Sequence, residues 1–418
     1  MKKITQTLRY QSGFTIVELM VGLVIGLIAT LVIMQTFSAF EGNKRSTTGI
    51  ADAQTNGSIG LYMLQRELQF AGYGIPVISG TMPQITVRPD QLTFQDYTAK
   101  TQAQIDAEYA TALANYNIKI AADSATVASG EVYSALKCNP APTLSVDADN
   151  NPATPDVTID VITPVAITDG VTNGTGSDTI AIRYGTSTRG AMQTRVVTTS
   201  GSNYVGVENN LGCRTGDVVL VTRNSNTGDT TCMATKVTST NAQLDGATNA
   251  IDVLSNAGMG LNNRLACLGQ LRQIVFGVGT GADANQLQKD GANVISDIVS
   301  LQAQYGVSAT ANSEVVNPLI PNSGWFDATG GTWAAPSVAD RNRIKAVRIA
   351  LVARNNLLER TVVSQACTGA ATGPARVCVF GGDVNLAASL GADWNRYRYR
   401  VYEVIVPLRN VLAASPQL

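Results

Sequence analysis

The chain begins with a short basic stretch that is followed at once by a long apolar one. Residues 1–13 carry Lys2, Lys3 and Arg9 and no acidic residue, and the 22 residues at 19–40 carry no formal charge. At a rise of 1.5 Å per residue such a helix spans about 33 Å, which is enough to cross the hydrocarbon core of a bilayer. The pattern therefore predicts a membrane helix whose basic N-terminal end faces the cytoplasm.

Residues 41–72 can be treated as a continuation of this helix. Placed at 100° per residue, four glycines share one face with several apolar side chains. That face comprises Gly42, Gly49, Ile50, Ala53, Gly57, Gly60, Leu61, Leu64, Leu68 and Ala71. Because each glycine in a helix costs about 1 kcal/mol relative to alanine, we expect this face to lie closely against a sheet. Glu67 falls on the same face and is expected at its rim or paired, and Gly72 and Gly74 are expected to end the helix.

Two further features of this helix leave alternatives open. A neighbouring strip carries Ile59, Met63 and Phe70, which are available either to the globular domain or to a second chain. In the apolar part, Gly22 and Gly26 have the GxxxG spacing that lets two membrane helices pack closely. The same two glycines equally allow the helix to loosen once it leaves lipid.

The remainder of the chain, residues 73–418, is dominated by short β-branched runs between clusters of turn-forming residues. The predicted strands are 157–162, 179–184, 194–199, 217–222, 233–238, 273–278, 346–353 and 396–406. Helical patterns are expected at 102–121, inside an insertion at about 98–176, and at 291–305. A long N-terminal helix lying on a mainly antiparallel β-sheet predicts an α+β fold.

Composition and charge remove several functional classes. Of the 418 residues 44% are hydrophobic, and 30 Lys and Arg stand against 31 Asp and Glu, so the formal charge of −1 supplies no basic field for nucleic acid. The chain contains no histidine, which excludes Ser-His-Asp and Cys-His nucleophiles, HExxH zinc sites and imidazole bases. We therefore predict no catalytic residue, no cofactor, no metal site and no nucleic-acid partner.

All six cysteines lie beyond the apolar segment, on the side of the membrane where disulfides form. They are Cys138, Cys213, Cys232, Cys267, Cys367 and Cys378. Proximity along the chain favours disulfides between Cys213 and Cys232 and between Cys367 and Cys378, which leaves Cys138 with Cys267. A metal site is the weaker alternative, because the thiols lack CxxC spacing and histidine partners.

The motif RYRYR at 396–400 is a candidate binding surface. As a strand it would place Arg396, Arg398 and Arg400 on one face and the tyrosines on the other. Three arginines on one face could hold phosphate or an acidic partner. Single-stranded nucleic acid prefers aromatic rings and cations on the same surface, so we interpret the motif as a solvated sheet face with its tyrosines packed inward.

The junction of the basic and apolar stretches, GFTIVELMVG from residue 13, resembles the leader of type IV prepilins. The resemblance implies that a prepilin peptidase cuts between Gly13 and Phe14 and that the Phe14 amine is methylated. It also implies that Glu18 pairs with the N-terminal ammonium of a neighbouring subunit and so sets the register of assembly. A lone charge within a membrane helix costs about 2.5 to 3.5 kcal/mol, which explains why Glu18 needs such a partner.

Collinear stretches further along the chain resemble minor pilins of the PilW type. They are LQRELQFAGYGI at 64–75, DTIAIRYG at 178–185, VISDIVSLQAQYGV at 294–307, IKAVRIALVARNN at 344–356 and YEVIVPLRN at 402–410. The resemblance implies four parts, which are a leader at 1–13, a transmembrane and filament-core helix at 14–40, its amphipathic continuation at 41–72 and a β-rich globular domain at 73–418.

A chain of this kind is expected to be a structural minor pilin and not an enzyme. The resemblance implies a role in starting pilus assembly at or near the tip, and through it in adhesion and twitching motility. Expected partners are major and minor pilins, the tip adhesin and prepilin peptidase. The chain would cross the inner membrane once, with a periplasmic globular domain, and move to the pilus at the cell surface on assembly.

Two other functions remain as alternatives at this point. The mature chain would have 405 residues, 418 less the 13 of the leader, and this bulk favours a low copy number over a repeated shaft unit. A type II secretion pseudopilin shares the same leader and helix. A pilus-borne adhesin or DNA-binding receptor would instead use the insertion or the RYRYR motif as its binding surface.

Overall fold

A computed structural model of the chain shows one long helix and a set of β-sheets. It describes residues 13, 15–75, 78–79, 132–133, 136–138, 143–144, 157–158, 161–170, 176–187, 193–223, 231–240, 249–261, 263–310, 313, 315–370 and 372–412. The predicted helix at 102–121, much of the expected insertion at about 98–176, and Phe14 lie outside these residues.

The long helix, α1 (Ile16–Phe70), runs for 55 residues without a break. Its apolar first part is exposed, and its second part packs on two sheets. The helix ends where the glycines predict, because Gly72 and Gly74 follow it with φ angles of 78° and 74°, a region that costs glycine little.

The strands are short and are numbered here in chain order. They are β1 Ile78–Ser79, β2 Val132–Tyr133, β3 Leu136–Cys138, β4 Thr143–Leu144, β5 Val157–Thr158, β6 Val161–Ile162, β7 Val165–Thr168, β8 Thr179–Gly185, β9 Gln193–Ser200, β10 Tyr204–Val207, β11 Val218–Arg223, β12 Thr231–Ser239, β13 Ala250–Val253, β14 Arg264–Gly269, β15 Leu271–Val278, β16 Gln286–Lys289, β17 Ala292–Ser296, β18 Ile298–Val307, β19 Gly324–Asp327, β20 Ile344–Arg354, β21 Ser364–Ala366, β22 Ala375–Val379, β23 Gly382–Asp383 and β24 Tyr399–Pro407. Short helical turns are Gly281–Asp283, Gly331–Ala334, Val338–Arg341, Ala387–Leu390, Gly391–Arg396 and Arg409–Leu412.

Two antiparallel sheets form the support of α1. One has the strand order β19-β18-β20-β24 and the other has the order β17-β16-β15-β8-β7. Both sheets bury apolar side chains together with Ala53, Leu64 and Leu68 of the helix, so that one core lies between α1 and the sheets. This arrangement of a long helix on mostly antiparallel strands confirms the α+β prediction.

Six further strands close into a barrel. Strand β11 pairs with β14, β14 with β9, β9 with β10, β10 with β13, β13 with β12 and β12 again with β11. Side chains including Val196, Val221 and Ile251 fill its interior, as expected for a small barrel. The barrel is inserted between β8 and β15, which pair with each other and place Gly185 opposite Leu271.

The outer face of the four-stranded sheet is covered by the segment that connects β20 to β24. Val377, Val379 and Leu386 of this segment pack on Ala350 and Val352 of β20. Because α1 lies on the opposite face, β18 and β20 are buried on both sides over most of their length.

The predicted helix at 291–305 is wrong, because these residues form β17 and β18. A strand that is buried on both faces reads as a nearly continuous apolar run, which periodicity alone does not separate from a buried helix. Asp290 and Gly291, at φ angles of 52° and 80°, form the Asp-Gly turn that is typical of a hairpin. The other predicted strands from 179 to 353 agree with β8, β9, β11, β12, β15 and β20 within a few residues.

Candidate functional site

The N-terminal end of α1 is closed by a capping box. Thr15 precedes the helix, its Oγ1 accepts the backbone N–H of Glu18 at 3.3 Å, and the Glu18 carboxylate accepts the Thr15 N–H at 3.0 Å. This T-x-x-E pattern satisfies two donors that the helix leaves unpaired. It also holds an acid at the positive end of the helix dipole. Oε2 takes the bonds from Thr15, and Oε1 remains without a hydrogen bond among the described residues.

The following turns of α1 present apolar side chains outward on all sides. Ile16, Phe37 and Phe40 are 81%, 72% and 79% exposed, and the helix is long and apolar enough to cross a membrane. The hydroxyls of Thr30 and Thr36 donate to carbonyls one turn earlier. Both hydroxyl donors are therefore satisfied within the helix, without a hydrogen bond to water.

The second part of α1 approaches the sheets through its glycines. A Cβ added at Gly49 would collide with Asn355, one at Gly57 would collide with the Tyr402 ring, and one at Gly60 would lie 2.9 Å from Cδ1 of Leu351. These glycines therefore allow a close approach that a larger residue would prevent. Gly42 was expected on this face, but a Cβ there would meet nothing within 4 Å, because the helix has not yet reached the sheet at that point.

Glu67 ties the helix to the five-stranded sheet. The residue is 5% exposed, and its carboxylate accepts bonds from Lys289 Nζ at 2.9 Å, Arg66 Nη2 at 3.1 Å and the Tyr184 hydroxyl at 3.4 Å. Burial raises the pKa of Glu67, but the bonds and charges of Lys289 and Arg66 outweigh it and leave the pKa below its ordinary value. The expectation that Glu67 is paired is met, although it lies inside the contact and not at its rim.

The C-terminal end of α1 is held by the last turn of the described chain. Asn410 donates through Nδ2 to the carbonyls of Gln69 and Ala71, at 3.1 Å each. Carbonyls at a helix end have no partner within the helix, so this side chain acts as a cap. Nothing in the local sequence of the helix signals a cap that lies so far along the chain.

Two family models match the chain at its two ends. Residues 8–34 match the prokaryotic N-terminal methylation motif, and residues 269–410 match the type IV pilus-assembly protein W family, PilW. The two matches support a PilW-type pilin. No curated protein and no solved structure matches the chain.

The matched segments coincide with the parts just described. The methylation motif spans the capping box and the apolar half of α1, and the PilW match begins at the last residue of β14, directly after the barrel. The matches therefore relate the chain to type IV pili through its N-terminal segment and through the sheets that support α1. This family points to a structural pilus protein processed by prepilin peptidase, and not to an enzyme.

The cysteines of the chain pair as predicted in one case and differently in another. Cys367 and Cys378 are joined, as predicted, within the segment that covers the outer sheet face. Cys213 is joined to Cys267, so the predicted pairs Cys213–Cys232 and Cys138–Cys267 are wrong. Barrel closure brings the start of β11 beside the end of β14, a proximity that sequence distance does not show. Cys232 is also disulfide-bonded, and the parallel pairing of β12 with β3 places Cys138 opposite it.

The RYRYR motif does not form the predicted arginine face. The chain up to Arg396 is a short helical turn and β24 begins only at Tyr399. Arg396 bonds to Asp393 and to the Glu359 carbonyl, and Arg398 bonds to the Glu359 carboxylate at 2.9 Å. The Arg354 guanidinium carbon lies over the Tyr397 ring, 4.4 Å from the ring centre. The motif therefore serves to join the covering segment to the sheet.

The described part of the chain holds no group of three or more acidic or cysteine side chains placed to bind a metal. One cavity of about 110 Å³ lies where the barrel joins the sheet, between Thr186, Arg214 and Asp217. Pockets for organic ligands usually hold at least about 300 Å³, so this cavity is too small to suggest such a site.

Proposed function

We propose that the chain is a minor pilin that enters the inner membrane through α1, is cut between Gly13 and Phe14, is methylated at Phe14, and joins a type IV pilus through Glu18. One observation carries the proposal. A single helix holds Glu18 at its capped N-terminus, exposes apolar side chains over residues 16–40 and is fixed to the sheets by its second part.

The orientation in the membrane is argued from charge and from the cysteines. Lys2, Lys3 and Arg9 precede the apolar segment, which favours a cytoplasmic N-terminus. The disulfides Cys213–Cys267 and Cys367–Cys378 fit an oxidising compartment such as the periplasm. The globular part therefore stands in the periplasm before assembly and on the pilus afterwards.

An exposed strip on α1 supports contact with a neighbouring subunit. Within the strip of Ile59, Met63 and Phe70, Ile59 and Phe70 are 47% and 48% exposed and Met63 is half-buried. Phe70 also contacts the Tyr184 ring, with ring centres 5.8 Å apart. At about 1.5 Å per residue the 55-residue helix is about 82 Å long, so this strip lies beyond a bilayer core of about 30 Å. Of the two interpretations of this strip, partner contact is the one that its exposure favours.

A place at or near the tip, in few copies, completes the proposal. The PilW match favours a pilus over a secretion pseudopilus, and the bulk of the mature chain argues against a repeated shaft unit. Major and minor pilins and the tip adhesin are the expected neighbours, and adhesion and twitching motility would depend on the pilus that the chain helps to start.

The test compares Glu18→Ala with Glu41→Ala, which removes an acid of the same helix outside the apolar segment. Sheared filaments and membranes from cells that express each chain are examined by mass spectrometry for a peptide that begins at N-methylated Phe14. We expect both variants to be processed and held in the membrane, and only Glu18→Ala to be depleted from filaments by about tenfold, which corresponds to 1.4 kcal/mol.

Three outcomes contradict the proposal or a part of it. Equal incorporation of the two variants removes Glu18 from assembly. A native chain that is found without its apolar segment, free in the periplasm, removes the anchoring role of α1. Abundance close to that of the major pilin would replace the tip location with a shaft location.

A further inference from the structure

The five-stranded and four-stranded sheets are joined by the segment that leads into β8. The Asp178 N–H donates to the Leu301 carbonyl at 2.8 Å, and Ser177 Oγ accepts the Leu301 N–H at 3.0 Å. Gln302 Nε2 donates to the Gly176 carbonyl at 2.8 Å. Residues 176–178 thus run beside β18 and connect the hairpin β7–β8 to the neighbouring sheet.

The Asp178 carboxyl group is the centre of this connection. Oδ1 accepts the Gly170 N–H at 3.0 Å, and Oδ2 accepts the Ala303 N–H at 2.8 Å. The side chain therefore bridges the two ends of the β7–β8 loop and the middle of β18. The residue is 5% exposed, so its hydrogen bonds are made away from water and are expensive to lose.

A second carboxyl group stands beside the first. Asp169 is 7% exposed and lies within hydrogen-bonding reach of Asp178. The negative charge of Asp169 opposes ionisation of Asp178 and so favours the protonated Asp178 carboxyl group, whose O–H can donate to Asp169. Burial raises the pKa of Asp178 to about 7, against the opposing effect of its backbone bonds and with a further contribution from the Asp169 charge.

The charged and titratable groups described around Asp178 do not neutralise it. Tyr305 of β18 faces it, but its hydroxyl bonds to the backbone of Ile167 and its pKa is raised by burial. Arg183 of β8 and Arg341 act on Tyr305, and among the described residues neither forms a salt bridge with Asp178.

We propose that Asp169 and Asp178 form a proton-sharing clasp between the two sheets, which is tight in acid and loosens as the pH rises toward and above neutrality. The sign follows from linkage. An Asp with an ordinary pKa of 3.8 loses its proton in the unfolded chain well below the pH at which the folded chain does. Stability from this group is therefore present at low pH and is lost between about pH 4 and pH 7.

The test measures hydrogen exchange by mass spectrometry in the full-length chain in detergent, at pH 5.5 and pH 8.0. The labelling times are adjusted so that the pH dependence of the intrinsic amide exchange rate cancels. In the native chain we expect peptides covering 165–182 and 298–307 to exchange at least about tenfold faster at the higher pH, the effect of one pKa unit. In Asp169→Asn an amide can donate to the Asp178 carboxylate and the Asp169 charge is gone, so the difference between the two pH values should shrink, although Asp178 stays buried. Asp290→Asn, which changes an exposed carboxylate that accepts the Val275 N–H at 2.7 Å, should behave like the native chain.

A second variant and an internal reference keep the clasp testable if Asp169→Asn does not fold. Asp178→Asn offers one acceptor oxygen to two N–H donors and should lose protection of the same peptides at both pH values. Strand β13 (Ala250–Val253) of the barrel should show no such change in any sample. The clasp is refuted if the native peptides exchange equally at both pH values, if Asp169→Asn keeps the native pH dependence, or if Asp178→Asn stays fully protected.

Discussion

The core beneath α1 gathers residues from Ala53 to Val411, whereas the core of the barrel comes from the single stretch between Val196 and Cys267. The first core draws on segments before and after the barrel, and the second draws only on the barrel's own stretch of chain. The barrel enters and leaves through neighbouring strands, since Gly185 and Leu271 are opposite one another. The helix α1 and the two sheets that support it are called here the helix–sheet half. This half can therefore fold without the barrel.

The family matches divide along the same line. The methylation motif and the PilW region cover parts of the helix–sheet half, and the barrel residues before Gly269 lie between them. The matched segments thus lie in the helix and in the sheets that hold it. The contrast predicts that damage to one half should leave the other folded. The three tryptophans, Trp325, Trp333 and Trp394, all lie outside the barrel, so their fluorescence reports the helix–sheet half alone.

The largest expected effect comes from filling the helix–sheet contact. Gly57→Leu would drive a side chain into the Tyr402 ring and should lower the free energy of unfolding of the helix–sheet half by about 3 kcal/mol. Urea unfolding followed by tryptophan fluorescence measures this. Gly42→Leu is the matched control, because it adds the same side chain where nothing lies within 4 Å and should stabilise the helix by about 1 kcal/mol. Equal effects of the two changes would show that the glycines do not set the approach.

An effect of similar kind but confined to the barrel is expected from its disulfide. Replacing Cys213 and Cys267 together by serine should cost the barrel about 2 to 4 kcal/mol, seen as faster hydrogen exchange of β9 to β14, with the tryptophan transition unchanged. Replacing Cys367 and Cys378 should do the reverse, because that bond lies in the segment that covers the four-stranded sheet. A shift of both signals in either variant would mean that the halves unfold together.

The smallest effect is expected from removing the barrel. Replacing residues 188–268 by two glycines joins chain ends that are already close, since the Ser187 N–H donates to the Leu268 carbonyl at 2.7 Å. The helix–sheet half loses the contacts of Ile162 and Leu271 with barrel residues. We expect its unfolding free energy to fall by about 1 kcal/mol or less. The loss of these contacts lowers it, and the smaller entropy cost of closing a short loop offsets part of that loss. Loss of the tryptophan transition would show that the barrel is part of the same folding unit.

The sequence predicts α1 well because each of its determinants is local. A charge-free run sets its membrane part, glycines at helical spacing mark the face that packs, and Gly72 and Gly74 end it. The strands from 179 to 353 are also found, because β-branched residues between turn residues are a short-range signal. The capping box between Thr15 and Glu18 is equally local and was readable as T-x-x-E.

The features that the sequence does not reveal depend on distant partners. Barrel closure, and with it the Cys213–Cys267 bond, follows from the pairing of β11 with β14. The strand β18 is missed because helix and covering segment bury both of its faces. The Asn410 cap on Gln69 and Ala71 joins the two ends of the chain. None of these leaves a pattern within a window of some 15 residues.

The Asn410 contact can form only late in the synthesis of the chain. α1 leaves the ribosome first, but the residue that caps it follows 341 positions later than Gln69. Until then the end of the helix lacks this cap, and Gly57 lacks its neighbour Tyr402 almost as long. Bringing such distant segments together is slow. If the apolar half enters a bilayer as proposed, the membrane would shield it from aggregation while the rest of the chain is made.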